Sequence, residues 1–251
     1  MYKTIFVRFR VLGVFVVSSF VLLHAQTRPA FDVATIKRNV SLSQDSSQRN
    51  MPGGRINFTN QRLRNCIRAA FGGIDVEVVG GPDWVDNDRW DIVAVPAQPA
   101  ADAPWREMLK TLLMDRFKLK ARIEQRERPV FLLVFARPDK QLGPKIQPTK
   151  TPCRIEGDCG GSDTNTNGAT GGTIHGTART MAQVGRSLVS FTERRVLDRT
   201  GLEGRYDFEL TWGEDNPIFT ALSDQLGFRL EAARAPVDVV VIDSVERPVE
   251  D

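Results

Sequence analysis

The chain is 251 residues long, carries 34 Lys and Arg against 31 Asp and Glu, and is 41% hydrophobic. Its formal excess of +3 is supplied by Lys3, Arg8 and Arg10, so residues 26–251 are formally neutral. That balance excludes a nucleic-acid binder, which needs a basic face to displace counterions from phosphates, and the neutral remainder can bury one large core or two modest ones.

The opening MYKTIFVRFR has no acidic residue and is followed by an apolar run, Val11 to Leu23, and then by His24-Ala25-Gln26. A basic start, an apolar stretch and a small-residue exit are the three parts of a secretory signal, with cleavage expected after Ala25. The run is shorter than the ~20 apolar residues a membrane-spanning helix needs. Residues 1–25 are therefore expected to be removed, leaving an exported, periplasmic or extracellular protein with no transmembrane segment.

Residues 26–137 read as a first module. FDVATIK and GRINF are expected strands with a polar loop between them. Thr59 is expected to cap a helix reaching Phe71, because Leu63, Ile67, Ala70 and Phe71 recur at helical spacing and Gly72-Gly73 stops it. IDVEVVG and RWDIVAV read as strands on either side of a tight turn, GGPDWVDND. Asp102 and Pro104 mark the start of a helix whose buried stripe is Trp105, Met108, Leu109, Leu112 and Leu113. FKLKARIEQ and PVFLLVFA then read as two strands in a hairpin around Glu127-Arg128.

From 138 to 178 the periodicity is lost, and GDCGGSDTNTNGATGGTIHGT is dense in Gly, Thr, Asn and Ser. A stretch that buries so little surface cannot offset its ordering entropy, so it reads as an exposed, flexible connector. Cys153 and Cys159 lie within it and, in the oxidising compartment that export implies, are expected to form a local disulfide. Cys66 falls on the apolar side of its helix and reads as core.

Residues 179–251 restart the same order. Thr180 caps a helix with Met181, Val184 and Leu188 on one face, RVLD is a strand, RTGLEG a turn and RYDFELTW a strand of period two. Asn216-Pro217 opens a helix that Gly227 ends, and FRLEAA and VDVVVIDSV close the chain as two strands. RWDIVAV matches RYDFELTW, and LLMDRFKLKARIEQRERPVFLLVF matches LSDQLGFRLEAARAPVDVVVI. The expected fold is α+β: two related modules from an internal duplication, each roughly helix-strand-strand-helix-strand-strand, joined by a Gly/Thr/Asn-rich connector.

No spacing typical of catalysis is present. The chain lacks H-E-x-x-H, G-x-S-x-G, a P-loop and a dinucleotide fingerprint. Arg199-Thr200-Gly201 has the look of a substrate-holding K-T-G strand, but no Ser is followed three residues later by Lys, and turn chemistry through Asp198, Gly201 and Gly204 explains it better. His175 stands in the connector, where nothing would hold its ring for a Ser-His-Asp arrangement, and as the one histidine of residues 26–251, with no C-x-x-C beside it, it speaks against a zinc site. No catalytic residue, metal ligand or cofactor is assigned. Asp83, Asp86, Asp88 and Asp91 crowd one turn beside Trp84. Asp83 and Asp91 are expected to cap a turn and pair with Arg89 or Arg116. A secreted hydrolase or carbohydrate-binding protein would use that turn, with Trp84 as its aromatic platform.

FDVATIKRN, GGRINFTNQRLRNCIRAAFG, GGPDWVDNDRWDIVA, MLKTLLMDRFKLK, VLDRTGLEGRYDFELTW and FTALSDQLGFRLEAARAPVDVVVIDSVERPVED together resemble a large family of uncharacterised exported proteins abundant in soil acidobacteria. The resemblance covers nearly all of residues 26–251. It implies an envelope or secreted protein and carries over no catalytic residue. G-R-Y followed by an amphipathic helix, Q-L-G-F and two strands is also similar to the short N-terminal domain of secretins and TonB-dependent transporters, small β-α-β-β-α-β modules that bind other proteins. The expected function is non-enzymatic: a protein partner in the envelope is bound at exposed strand edges or in the cleft between the modules.

Overall fold

A computed structural model describes residues 28–41, 43–99, 104–150, 161–166 and 171–251. The expected signal peptide and the expected Cys153–Cys159 pair lie outside the described residues. In chain order the elements are β1 (Val33–Arg38), β2 (Ser47–Asn50), β3 (Ile56–Arg62), α1 (Leu63–Phe71), β4 (Glu77–Gly80), α2 (Trp84–Asn87), β5 (Arg89–Val95), α3 (Trp105–Arg116), β6 (Lys120–Phe135), β7 (Ile146–Pro148), β8 (Gly161–Thr166), β9 (Gly172–Arg179), α4 (Met181–Ser187), α5 (Val189–Thr192), β10 (Val196–Asp198), β11 (Tyr206–Trp212), α6 (Ile218–Ala221) and β12 (Phe228–Ser244).

The strands make three four-stranded sheets, ordered β1-β5-β3-β2, β10-β6-β12-β4 and β7-β11-β9-β8. All pairs are antiparallel except β10 with β6 and β4 with β12. The expected fold class, separate helix-strand-strand-helix-strand-strand modules on either side of a connector, is therefore incorrect.

Two physical reasons account for the difference. FKLKARIEQ and PVFLLVFA are not a hairpin but one uninterrupted strand, β6, and FRLEAA and VDVVVIDSV are likewise one strand, β12. These two pair with each other from Phe135 opposite Phe228 to Lys120 opposite Ser244, and Glu127-Arg128, the expected turn, sits mid-ladder opposite Pro236 and Ala235. Pro129 and Pro236 punctuate the sequence like breaks, but each removes only one donor from the ladder and the strand continues through it.

The second reason concerns 138–178, which contains β7, β8 and β9. β9 lies inside the third sheet, with Ile174 and Ala178 fully buried. Few apolar residues are needed there because β11 supplies the covering rings. A Cβ at Gly176 would stand 2.1 Å from the Phe208 ring, and one at Gly172 would stand 2.7 Å from the Trp212 ring.

The central sheet fastens the halves together. β4 pairs with β12 (Val78 opposite Val240), and β10 pairs with β6 (Val196 opposite Phe131), so each half lends a short strand to the other's long one. The cores follow the same exchange. Val240 and Ile242 of β12 enter the core built on Ile36, Phe58, Trp90 and Leu113, while Leu133 of β6 enters the core built on Ile174, Val184, Leu210 and Phe228. Val130, Val237 and Val239 fill the space between.

The first and third sheets also share one local device. Asn60 in β3 and Ala178 in β9 both have left-handed backbone, φ 54° and 52°, at irregularities in their ladders. The Asp91 carboxylate accepts from the Asn60 N–H at 2.8 Å, while the Arg89 guanidinium donates to the Asn60 carbonyl at 3.3 Å. Asp207 accepts from the Ala178 N–H at 2.8 Å, and Arg205 donates to the Ala178 carbonyl at 3.0 Å. The R-W-D and R-Y-D segments thus each grip both polar groups of a bulged residue that the sheet leaves unpaired, in a place where an unmade bond is costly. The bulge explains why the strand continues past Thr59, the expected helix cap, and why α1 begins only at Leu63.

Candidate functional site

The turn expected to hold a site disperses its acids among separate partners. Asp86 takes a two-pronged grip from Arg64, at 2.6 and 2.7 Å, and the Arg64 guanidinium holds its carboxyl below the usual range. Asp88, with its side chain 8% exposed, is shared by Arg38 and Arg247, both at 2.8 Å. Asp91 accepts from Asn39 Nδ2 at 2.9 and 3.0 Å as well as from Asn60. Asp83 is exposed at the start of α2 and its side chain makes no capping bond. Arg89 and Arg116, their expected partners, are engaged elsewhere: Arg89 with the Asn60 carbonyl and Arg116 with Asp251.

The aromatic platform is likewise occupied. Trp84 packs against the first core, and the Arg247 guanidinium lies 5.1 Å from its ring centroid. Trp90 is 1% exposed, edge-on to Phe117 at 5.4 Å. His175 is exposed on β9, with Nδ1 3.5 Å from Glu209 Oε2. Asp198 accepts from both the N–H and the hydroxyl of Thr200, at 2.9 and 2.8 Å, which closes the turn before Gly201. Cys66 is a free thiol buried in the first core, and burial pushes its pKa up to about 12.

Ionisable groups converge elsewhere, at the junction of the halves. The segment leading into β4, Asp75 to Glu77, and the segment leading into β10, Glu193 to Arg195, line one cavity of about 530 Å³ together with residues in the middle of β6 and β12. Val76, Pro129, Val189 and Val237 give it an apolar part, and Arg68, Arg128, Arg194 and Arg195 line it as well. A second cavity of about 410 Å³ lies beside it, lined by Gln48, Asn50, Gln61, Asn65, Trp105 and Arg106 among others. Arg68 and Ile74 line both, so these two residues form the saddle at which the two parts of the groove adjoin.

The charges inside are unequally matched. Arg128 holds Glu77 through both guanidinium edges, at 2.7 and 2.9 Å, and keeps that carboxyl below the usual range. Asp75, its side chain 8% exposed, stands 3.2 Å from Arg186 and 3.9 Å from Arg195, so two cations share one carboxylate. Its Oδ1 is buried without a hydrogen-bond partner. Arg68 is fixed by donating to the Val76 carbonyl at 3.1 Å and to Asn65 at 3.4 Å, and Arg194 lies over the Phe131 ring at 5.1 Å. Among the described residues neither Arg68 nor Arg194 has a carboxylate in ion-pair contact. Glu193 and Asp238 stand exposed at the rim.

Sequence reading missed this groove because its arginines are spread from position 68 to 195 with no local motif. Only the pairing of β4 with β12 and of β10 with β6 gathers them.

A protein-family model described as "Protein of unknown function (DUF3738)" matches residues 64–245. The chain belongs to this family. No curated protein and no solved structure matches it. The DUF3738 match begins inside α1 and ends just past β12, so it contains the whole central sheet and every residue of the larger cavity. β1, β2, β3 and the last six residues lie outside it. Among the described residues of this DUF3738 chain, no helix is long and apolar enough to cross a membrane.

Proposed function

We propose that this DUF3738 chain is an exported, non-enzymatic protein of the bacterial envelope or exterior that binds a partner protein in the groove between its halves. The observation that carries this reading is the groove itself: a larger cavity lined by both halves and a smaller one lined by the first half, which share an exposed Ile74 and an arginine with no carboxylate in ion-pair contact. An open groove lined by apolar, amide and charged side chains suits a segment of another protein better than a small molecule, which favours an enclosed site. The basic-then-apolar opening of the chain supports export. The aspartates of the Asp83–Asp91 turn that pair with neighbours do so with separate ones, which leaves no converging pair for acid–base hydrolysis.

The common strand order of the first and third sheets, together with the reciprocal loan of β4 and β10, supports descent from a duplicated unit. Within each half the principal elements run strand, helix, strand, strand, helix, strand, from β3 to β6 and from β9 to β12. That order supports the distant resemblance to the protein-binding domains of secretins and TonB-dependent transporters.

The test is recovery from native envelope. The wild-type chain is expected to co-purify with one defined protein, and Ile74→Asp, which places a charge on an exposed position 55% accessible, is expected to lose it while melting at the same temperature. Equal recovery by both chains would refute the reading.

A further inference from the structure

Four features of the groove bear on what its occupant is. The two cavities share Arg68 and Ile74, so an occupant of both crosses the chain at those residues. An extended segment can do so. Gln48, Asn50 and Asn65 present side-chain amides along the smaller cavity, groups that can donate to and accept from a peptide backbone. Val76, Pro129, Val189 and Val237 offer apolar contact in the larger one. The saddle between them is formed by a guanidinium already held in place by two bonds, to the Val76 carbonyl and to Asn65, and, among the described residues, in ion-pair contact with no carboxylate.

A fixed guanidinium with spare donors is the group best suited to a carboxylate. The other cations reinforce that preference. Arg186 and Arg195 have only Asp75 between them, and Arg194, which lines the larger cavity, lies over the Phe131 ring. Of the acids lining the larger cavity, Glu77 is held by Arg128 and Asp75 by Arg186 and Arg195, so each of these two already faces a cation. Glu193 and Asp238, exposed at the rim, favour a single acidic residue at the saddle over a run of them.

We propose that the occupant is an extended internal segment of a partner protein carrying one acidic side chain between apolar ones, with the carboxylate on Arg68. This rests on the groove being the binding surface. A carboxylate held there meets Arg68 first and the Arg194 and Arg195 side of the cleft next, while its apolar neighbours lie on the apolar part of the larger cavity.

The probe is a library of random peptides displayed on phage and selected on the purified protein. Wild type is expected to enrich peptides with Asp or Glu flanked by apolar residues. Arg68→Glu is expected to weaken those peptides about 30-fold or more, as removal of one member of an interfacial charge pair does, and to select Lys or Arg in place of the acid. Arg194→Glu, which disturbs no bond to the backbone around Val76, is expected to weaken them in the same direction.

Enriched peptides without an acidic position, lost on Ile74→Asp but unmoved by Arg68→Glu, would overturn the carboxylate inference and leave the groove standing. Peptides indifferent to Ile74→Asp, or none enriched at all, would overturn both.

Discussion

Expressed separately, residues 26–137 and residues 138–251 are each expected to show no cooperative unfolding transition, and mixing them is expected to restore one. The first fragment alone would leave β6, a strand of 16 residues, without its ladder, and β4 without the strand it pairs with. Its core would lose Val240 and Ile242, and full burial of each such side chain contributes ~1.5–3 kcal/mol. Each ladder hydrogen bond adds ~0.5–1.5 kcal/mol. Against a total stability of ~5–15 kcal/mol for a whole domain, that loss is decisive. The second fragment fares no better, since β10 and Leu133's place in its core both depend on β6. Denaturant unfolding followed by circular dichroism checks both halves. A fragment that unfolds cooperatively by itself would contradict the shared central sheet.

The second large effect concerns how the outer sheets divide volume. In the first sheet Phe58 on β3 stands opposite Ile92 on β5. In the third the bulk is on the other strand, with Gly176 on β9 opposite Phe208 on β11. Gly176→Phe puts two rings where a Cβ alone would stand 2.1 Å from one of them, and is expected to cost about 3 kcal/mol by overpacking. Phe208→Ile alone is expected to cost ~1–3 kcal/mol through the cavity it leaves beside the glycine. Combined, they copy the first sheet's arrangement, and the double variant is expected to recover about half of the summed loss, a coupling within the range seen for touching residues. Urea midpoints with unchanged slope measure it. Strict additivity would mean that the two sheets do not pack alike.

What was legible in the sequence is what local chemistry decides. RWDIVAV and RYDFELTW alternate strictly, and both are strands with Trp90, Ile92 and Ala94, or Tyr206, Phe208 and Leu210, facing inward. Thr180 caps α4 through a reciprocal pair of bonds with Gln183. Gly227, with φ 79°, ends the helical turn of residues 218–226.

Pairing was not legible, because alternation marks a strand without naming its partner. Nothing in FRLEAARAPVDVVVIDS indicates that it lies along the first half instead of folding back on itself. The third sheet was hidden for a different reason. β8, GSDTNT, is exposed throughout and has no apolar residue, and β9 is covered by rings from β11, so neither shows the hydrophobic rhythm that reveals a strand. The site depended on both: its walls come from segments brought together by pairings the sequence does not announce. The Asp83–Asp91 turn drew notice because acids adjacent in sequence look like a cluster, whereas in space Asp86, Asp88 and Asp91 each turn to a different partner.

The most direct measurement is photocrosslinking in intact cells from two positions that line the larger cavity, one from each half, Ile74 and Val189. An occupant lying across the junction predicts the same adduct from both, lost when Arg68→Glu is added. Adducts of different proteins, an adduct from one position only, or a strong adduct from exposed Val33 on β1 in place of these, would contradict it.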